Sequence, residues 1–368
     1  MHTVPLARRN LFQDRRRAAL AVSGVAVALL LVLILDGVLA GALRQVTSYL
    51  RNLPADVIVS QRGVRTMHMS ASALPEDTAR EARRVRGVAW AEAIRFTTAT
   101  VRGPAGRQLS YVIGYDPRTG RGGPAQIVEG RAPRRGEAMI DEVAADQFGV
   151  SVGDPVELLG TRFVVSGLFT GGTSITNTIA FIDTQDFATI RGSTVSYVLV
   201  GAKHGVDADQ LADRVAARLP GTTTQTRDQF AEQEGRIVRD MSADVMQIMS
   251  AIAFLIALAV VALTLFTATL AKLREYAVIK ALGASRWRLA RTVLAQATWS
   301  TALALILAVV LAFAVAAVVA ALSPNVRLAI DPASVERVAI AALVVGGLGA
   351  VLPLRRIARL DPATAFRG

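Results

Sequence analysis

Residues 271–291, AKLREYAVIKALGASRWRLAR, form a short basic stretch between two long uncharged runs. Val245–Ala271 leads into it with 27 uncharged residues, and Thr292–Val326 follows with 35. About 20 apolar residues suffice to cross a hydrocarbon core roughly 30 Å thick, so each run predicts a membrane-spanning helix. Between the runs stand Lys272, Arg274, Lys280, Arg286, Arg288 and Arg291 against the single acid Glu275. Short cationic loops stay on the cytoplasmic side. The pattern predicts a helical hairpin with its tip in the cytoplasm.

The rest of the charge obeys the same rule. The 368 residues are 52% hydrophobic with mean hydropathy +0.41, high for a soluble enzyme of this length, and carry a net charge of +12. Residues 1–18 contribute +4, residues 272–291 contribute +5 and residues 355–368 contribute +3, so the remainder is neutral. Excess basic charge also marks nucleic-acid binders. Here all of it lies beside predicted spans, which is the positive-inside signature and argues against nucleic acid as a partner. Anionic cytoplasmic headgroups favour the same placement, so membrane lipids are expected partners. There is no Cys, which excludes disulfides and thiolate metal sites. His2, His68 and His204 are too few and too scattered for a His-rich metal site.

Taken in order, residues 1–17 mix Leu6, Leu11 and Phe12 with five Arg and predict an amphipathic helix at the cytoplasmic surface. Residues 18–43 are a first span; it is longer than a usual signal core and is expected to stay uncleaved. Its one acid, Asp36, lies toward the far end, at headgroup level or facing the bundle. Residues 44–240 form an extracytoplasmic domain. Residues 241–270 form the second span, 271–291 the cytoplasmic segment, 292–322 the third span, 323–335 an outer loop, 336–354 the fourth span and 355–368 a cytoplasmic tail. Both termini then lie in the cytoplasm.

The stretch Arg44–Asp244 carries 24 basic and 23 acidic residues and alternates strand-like and helix-like pieces. Strands are predicted over 56–60, 94–101, 109–115, 178–182 and 195–200, with a hairpin of 156–159 and 162–168 turning at Gly160-Thr161. Helices are predicted over 74–85, 141–148, 206–219 and 226–237, the last running on into the second span, since no Gly or Pro interrupts Arg236–Leu270. Irregular spacing of strands and helices favours an α+β domain. The fold class is thus a multi-pass α-helical membrane protein with four spans and an α+β extracytoplasmic domain inserted between the first two.

Chemistry is scarce. No GxxxxGK loop and no HExxH pair is present, and Gly120–Gly123 reads as a surface turn. His68, in a polar stretch, and His204, in Lys203-His204-Gly205, read as exposed. No catalytic, metal or cofactor-binding residue is expected. What remains is mechanical. Lys272–Leu282 is helix-compatible, Gly283 can cap it or bend the chain, and Ser285 can cap a helix from Arg286 onward. A short surface helix would offer Glu275 and Lys280 to a cytoplasmic partner, with Tyr276, Val278, Ile279 and Leu282 as its apolar side. A plain positive-inside loop accounts for the charges alone.

The stretch Glu275–Ser285, EYAVIKALGAS, resembles the segment between the second and third spans of ABC-transporter permeases of the FtsX-like, MacB/LolC type. Leu354–Gly368 resembles that family's close, and Leu6–Leu11 with Arg15–Arg17 its amphipathic start. Glu129-Gly130-Arg131, Gly136–Ile140, Val152–Val156 and Phe163–Leu168 resemble pieces of a MacB-like extracytoplasmic domain. The resemblance implies a type VII permease in the bacterial inner membrane. It implies a homodimer with a second permease copy and a separate cytoplasmic ABC ATPase dimer that alone holds ATP and Mg²⁺. The ATPase would dock on Glu275, Tyr276, Lys280, Leu282, Gly283, Ala284, Ser285 and Arg286. It implies ATP-driven movement of the extracytoplasmic domain for export or extraction of a substrate. Alternatively, that domain activates a cell-wall hydrolase, or works with another extracytoplasmic accessory protein.

Overall fold

A computed structural model describes residues 15–68, 70–174, 178–271, 278, 285–323, 326–351 and 355. The described chain divides into two compact units: one of Met1–Ala40, Ser242–Leu322 and Arg327–Gly368, the other of Gly41–Met241 with Ser323–Val326.

In the first unit, helices α1 (Arg15–Asn52), α6 (Arg227–Ala271), α7 (Arg286–Leu322) and α8 (Pro332–Gly349) supply the bundle; α1 and α6 also belong in part to the second unit. Among the described residues, four helices are long and apolar enough to cross a membrane: Val22–Asn52, Gln247–Thr267, Val293–Leu322 and Pro332–Gly349. Ala26, Leu29 and Leu33 of α1 pack with Ala257, Val261 and Leu265 of α6, Ala304 and Ala308 of α7, and Val338, Ala342 and Val345 of α8. The recurrence of Ala lets helix backbones approach closely, which is how helices associate where lipid removes the hydrophobic drive. Gly346 marks one such approach, since a Cβ there would lie 2.9 Å from Thr301 Oγ1. Ile252 and Leu255 of α6 and Ile306, Val310 and Phe313 of α7 are exposed, the pattern expected of faces that lipid or another apolar partner covers. Asp36 faces the bundle: its carboxylate accepts from Arg337 of α8 at 2.6 Å.

The second unit is α+β. Its strands are β1 (Val57–Gln61), β2 (Val88–Arg102), β3 (Arg107–Tyr115), β4 (Ile127–Gly130), β5 (Glu137–Asp141), β6 (Pro155–Leu158), β7 (Thr161–Phe169), β8 (Thr178–Asp183), β9 (Tyr197–Ala202) and β10 (Thr222–Thr226). They follow the order β10-β1-β9-β2-β3-β8-β5-β7-β4, with β6 paired to β2 and β7. Only β3–β8 and β5–β7 are parallel among the described pairs. The 15-residue β2 joins two halves: Val88–Ile94 pairs with β9, and Arg95–Arg102 pairs with β3. Four short helices cover the sheet: α2 (Thr78–Arg83), α3 (Glu142–Phe148), α4 (Thr184–Arg191) and α5 (Ala208–Arg218). Asp141, Asp183 and Asp207 cap α3, α4 and α5 through their carboxylates.

Local sequence explains where expectation and structure agree. The predicted 156–168 hairpin forms, but turns one residue earlier, at Leu159-Gly160, where both φ angles are positive (55° and 76°). That is the two-residue hairpin geometry whose twist matches its strands. The predicted helix 141–148 forms as α3, and Gly149 ends it in the left-handed conformation. The predicted helix 74–85 shrinks to α2, because Leu74 is drawn into a bridge with Val195. The predicted helix start at Thr226 gives way to β10, whose β-branched Thr residues pair with β1.

Candidate coupling site

Helix α6 is described as far as Ala271, and α7 opens at Arg286. Ser285 is non-helical and directly precedes Arg286, the position from which a hydroxyl caps a helix. Val278 is helical and exposed. Glu275, Tyr276, Lys280, Leu282, Gly283 and Ala284 lie outside the described residues, and so does the side chain of Arg286. In the first turn of α7, Trp287 is 75% exposed. Sequence reading passed over this residue, although Trp beside Arg at the edge of an apolar run is an interfacial signal.

The other end of α6 is anchored in the second unit. Phe230 and Ala231 are buried in the cluster that holds Leu50, Ile58, Ile94, Ile113 and Phe181. One turn on, the Glu234 side chain is 1% exposed. Its carboxylate accepts the backbone N–H of Met67 at 2.6 Å and that of His68 at 3.4 Å. It also meets His68 Nδ1 within hydrogen-bonding reach. His68 is therefore not the exposed residue its polar neighbours suggested. Its ring is 19% exposed and stands edge-on to Tyr111, centroids 4.5 Å apart. The signal was out of local reach, because the partner lies 166 residues away. His204, as expected, sits exposed in a turn.

Burial, and after it the charge of Glu234, pushes the Tyr111 phenol up to about 12. Burial likewise raises the Asp141 carboxyl, against the opposing pull of its bonds from Thr173, Gly172 and Val143. Asp141 is used structurally, tying the start of α3 to the 172–173 loop. Among the described residues no cluster of His, Cys, Asp and Glu could hold a metal ion. What the described residues do offer is a long helix, α6, whose start is buried in the domain core.

Comparison with known proteins decides what such an arrangement belongs to. The model of the MacB-like periplasmic core domain matches residues 18–218, more than half of the chain, and that of the FtsX-like permease C-terminal domain matches residues 247–362. The chain belongs to the FtsX/MacB-like family of ABC transporter permeases. This permease is 25% identical over 372 residues to the uncharacterized ABC transporter permease Rv0072 of Mycobacterium tuberculosis, covering 98% of this chain and 99% of that protein. It is 24% identical over 368 residues to the uncharacterized ABC transporter permease Rv2563 of the same organism, with the same coverage. Among solved structures, the periplasmic region of MacB from Actinobacillus actinomycetemcomitans covers 50% of the permease and 94% of that chain, at TM-score 0.38 and 10% identity. The extracellular domain of the noncanonic ABC-type transporter YknZ from Gram-positive bacteria covers 46% and 99%, at TM-score 0.37 and 13% identity.

Proposed function

We propose that this permease couples ATP hydrolysis by a separate cytoplasmic ABC ATPase to movement of its extracytoplasmic domain, driving export or extraction of a substrate. The observation that carries the reading is α6. One helix of 45 residues, about 68 Å at 1.5 Å per residue, has Phe230 and Glu234 buried in the domain core and Ala257 and Val261 buried in the bundle core. In sequence it leads into the segment 272–285. A force applied to that segment has a stiff element along which to act. On this reading the 271–291 tip and both termini are cytoplasmic, the protein sits in the bacterial inner membrane, and two copies pair around an ATPase dimer that holds ATP and Mg²⁺. The site residues are Glu275, Tyr276, Lys280, Leu282, Gly283, Ala284, Ser285 and Arg286. The domain limits are those of the four-span plan, with residues 44–240 outside.

The test is affinity purification of the tagged permease in mild detergent, followed by ATPase assay. A P-loop ATPase in near-stoichiometric amount is expected. Glu275→Lys or Gly283→Trp should cut the ATPase activity coupled to the permease at least about tenfold while leaving its membrane insertion intact, the scale expected when a docking contact of 1–2 kcal/mol is lost. Normal coupled activity in both variants would remove these residues from the docking site. Crosslinking through residues 60–200 that recovers a cell-wall hydrolase would move the function from transport to hydrolase control.

A further inference from the structure

The carboxylate of Glu234 is withdrawn from water, and burying a charge is costly unless it is paired and hydrogen-bonded. Its charge partner among the described residues is His68. Among the described residues, the phenols of Tyr111 on β3 and Tyr197 on β9 also stand beside the pair. Both are held above their ordinary range by burial first and by Glu234 second, so neither changes charge near neutrality. Whether a positive charge faces Glu234 here depends on the protonation of His68, and histidine is the side chain type that can change charge in the physiological pH range.

What Glu234 holds is a piece of chain. Residues 62–68 leave the end of β1 and reach α6, where Glu234 takes two backbone N–H groups in succession. The Tyr197 hydroxyl adds a bond at 3.3 Å to the carbonyl of Thr66. Met67 and His68 then make one wall of a narrow cleft whose other walls include Leu50, Phe96, Tyr111 and Ile113. We propose that residues 62–68 are a proton-sensitive strap: clamped onto α6 when His68 is an imidazolium, and lifted from Glu234 when His68 is neutral, uncovering the apolar cleft. A charge-assisted hydrogen bond is roughly twice as strong as its neutral counterpart, which sets the scale of the change at about tenfold in the closed-to-open ratio.

Hydrogen exchange on the full-length permease in detergent tests this. The Met67 and His68 amides are followed at about pH 6 and about pH 8, after correction for intrinsic exchange, with the β1 amides of Val57–Ser60 as the reference for an intact fold. The wild type should lose about tenfold in strap protection at the higher pH while the reference amides hold. His68→Gln should abolish that step, and Glu234→Gln should leave the strap open at both pH values. Wild-type protection equal at both pH values, or a step of the same size in His68→Gln, overturns the proposal. Should Glu234→Gln lose the reference protection as well, His68→Gln decides alone.

Discussion

Asp36 is the one acid of the first predicted span, and its partner, Arg337, follows 301 residues later. No local pattern can name such a pair. The pairing favours the bundle-facing side of the sequence expectation, because an acid in an apolar environment is retained where a cation meets it. Arg337 is 63% exposed in the pair, so a double-mutant cycle of Asp36→Asn and Arg337→Gln should return a coupling of only about 0.5–1 kcal/mol in thermal unfolding. In the second unit, Arg131 grips Glu137 through two bonds of 2.6 and 2.7 Å, and the hydrogen bond from Arg131 holds the Glu137 carboxyl below its usual range. A carboxyl lowered in the fold adds stability above its unfolded pKa and loses it as pH falls through the folded value. Glu137→Gln should therefore lower Tm at pH 7, and the gap from wild type should close toward about pH 3.

Elements differ in how openly the sequence announced them. The predicted spans were plain, since an uncharged run of 27 or 35 residues has no other physical meaning at these lengths. Helix α3 and the β6–β7 hairpin were plain too, because Asp141, Gly149 and Gly160 punctuate them. Helix α4 was missed, although Asp183 caps it, because its eight residues carry little apolar periodicity. Strands β4 and β10 were missed because no alternation marks them: Ile127–Gly130 is exposed throughout, and Thr222–Thr226 is all polar. Among the proposed coupling residues, the helix start at Arg286 was legible from sequence, whereas the contact of Glu234 with Met67 and His68 was not, since it joins distant segments. Continuity of α6 carries its own prediction. Met241 is exposed on that helix, so Met241→Pro removes a helix hydrogen bond without opening a core. Melting of the second unit should hold within a few degrees, while, on the proposed coupling to an ATPase partner, stimulation of that ATPase should fall at least about tenfold. Unchanged stimulation would mean that α6 transmits nothing.

For the whole molecule, small residues at helix crossings set the tolerance of the bundle. Gly346→Val would place its side chain against Thr301 and should cost about 1–3 kcal/mol, read as a lower Tm of the detergent-solubilised protein. Unchanged Tm would show that α7 and α8 can separate freely there. The second unit has a different kind of constraint. Its first and last strands are neighbours: Val57 pairs with Thr226, and the N–H of Arg227 donates to the carbonyl of Asp56 at 2.9 Å. During synthesis, β1 therefore emerges long before the strand that completes it. Every residue up to Thr226 must be made before that edge can close. Until then a nascent chain bears a strand that lacks this neighbour, and unpaired strand edges in incomplete chains are open to wrong pairing.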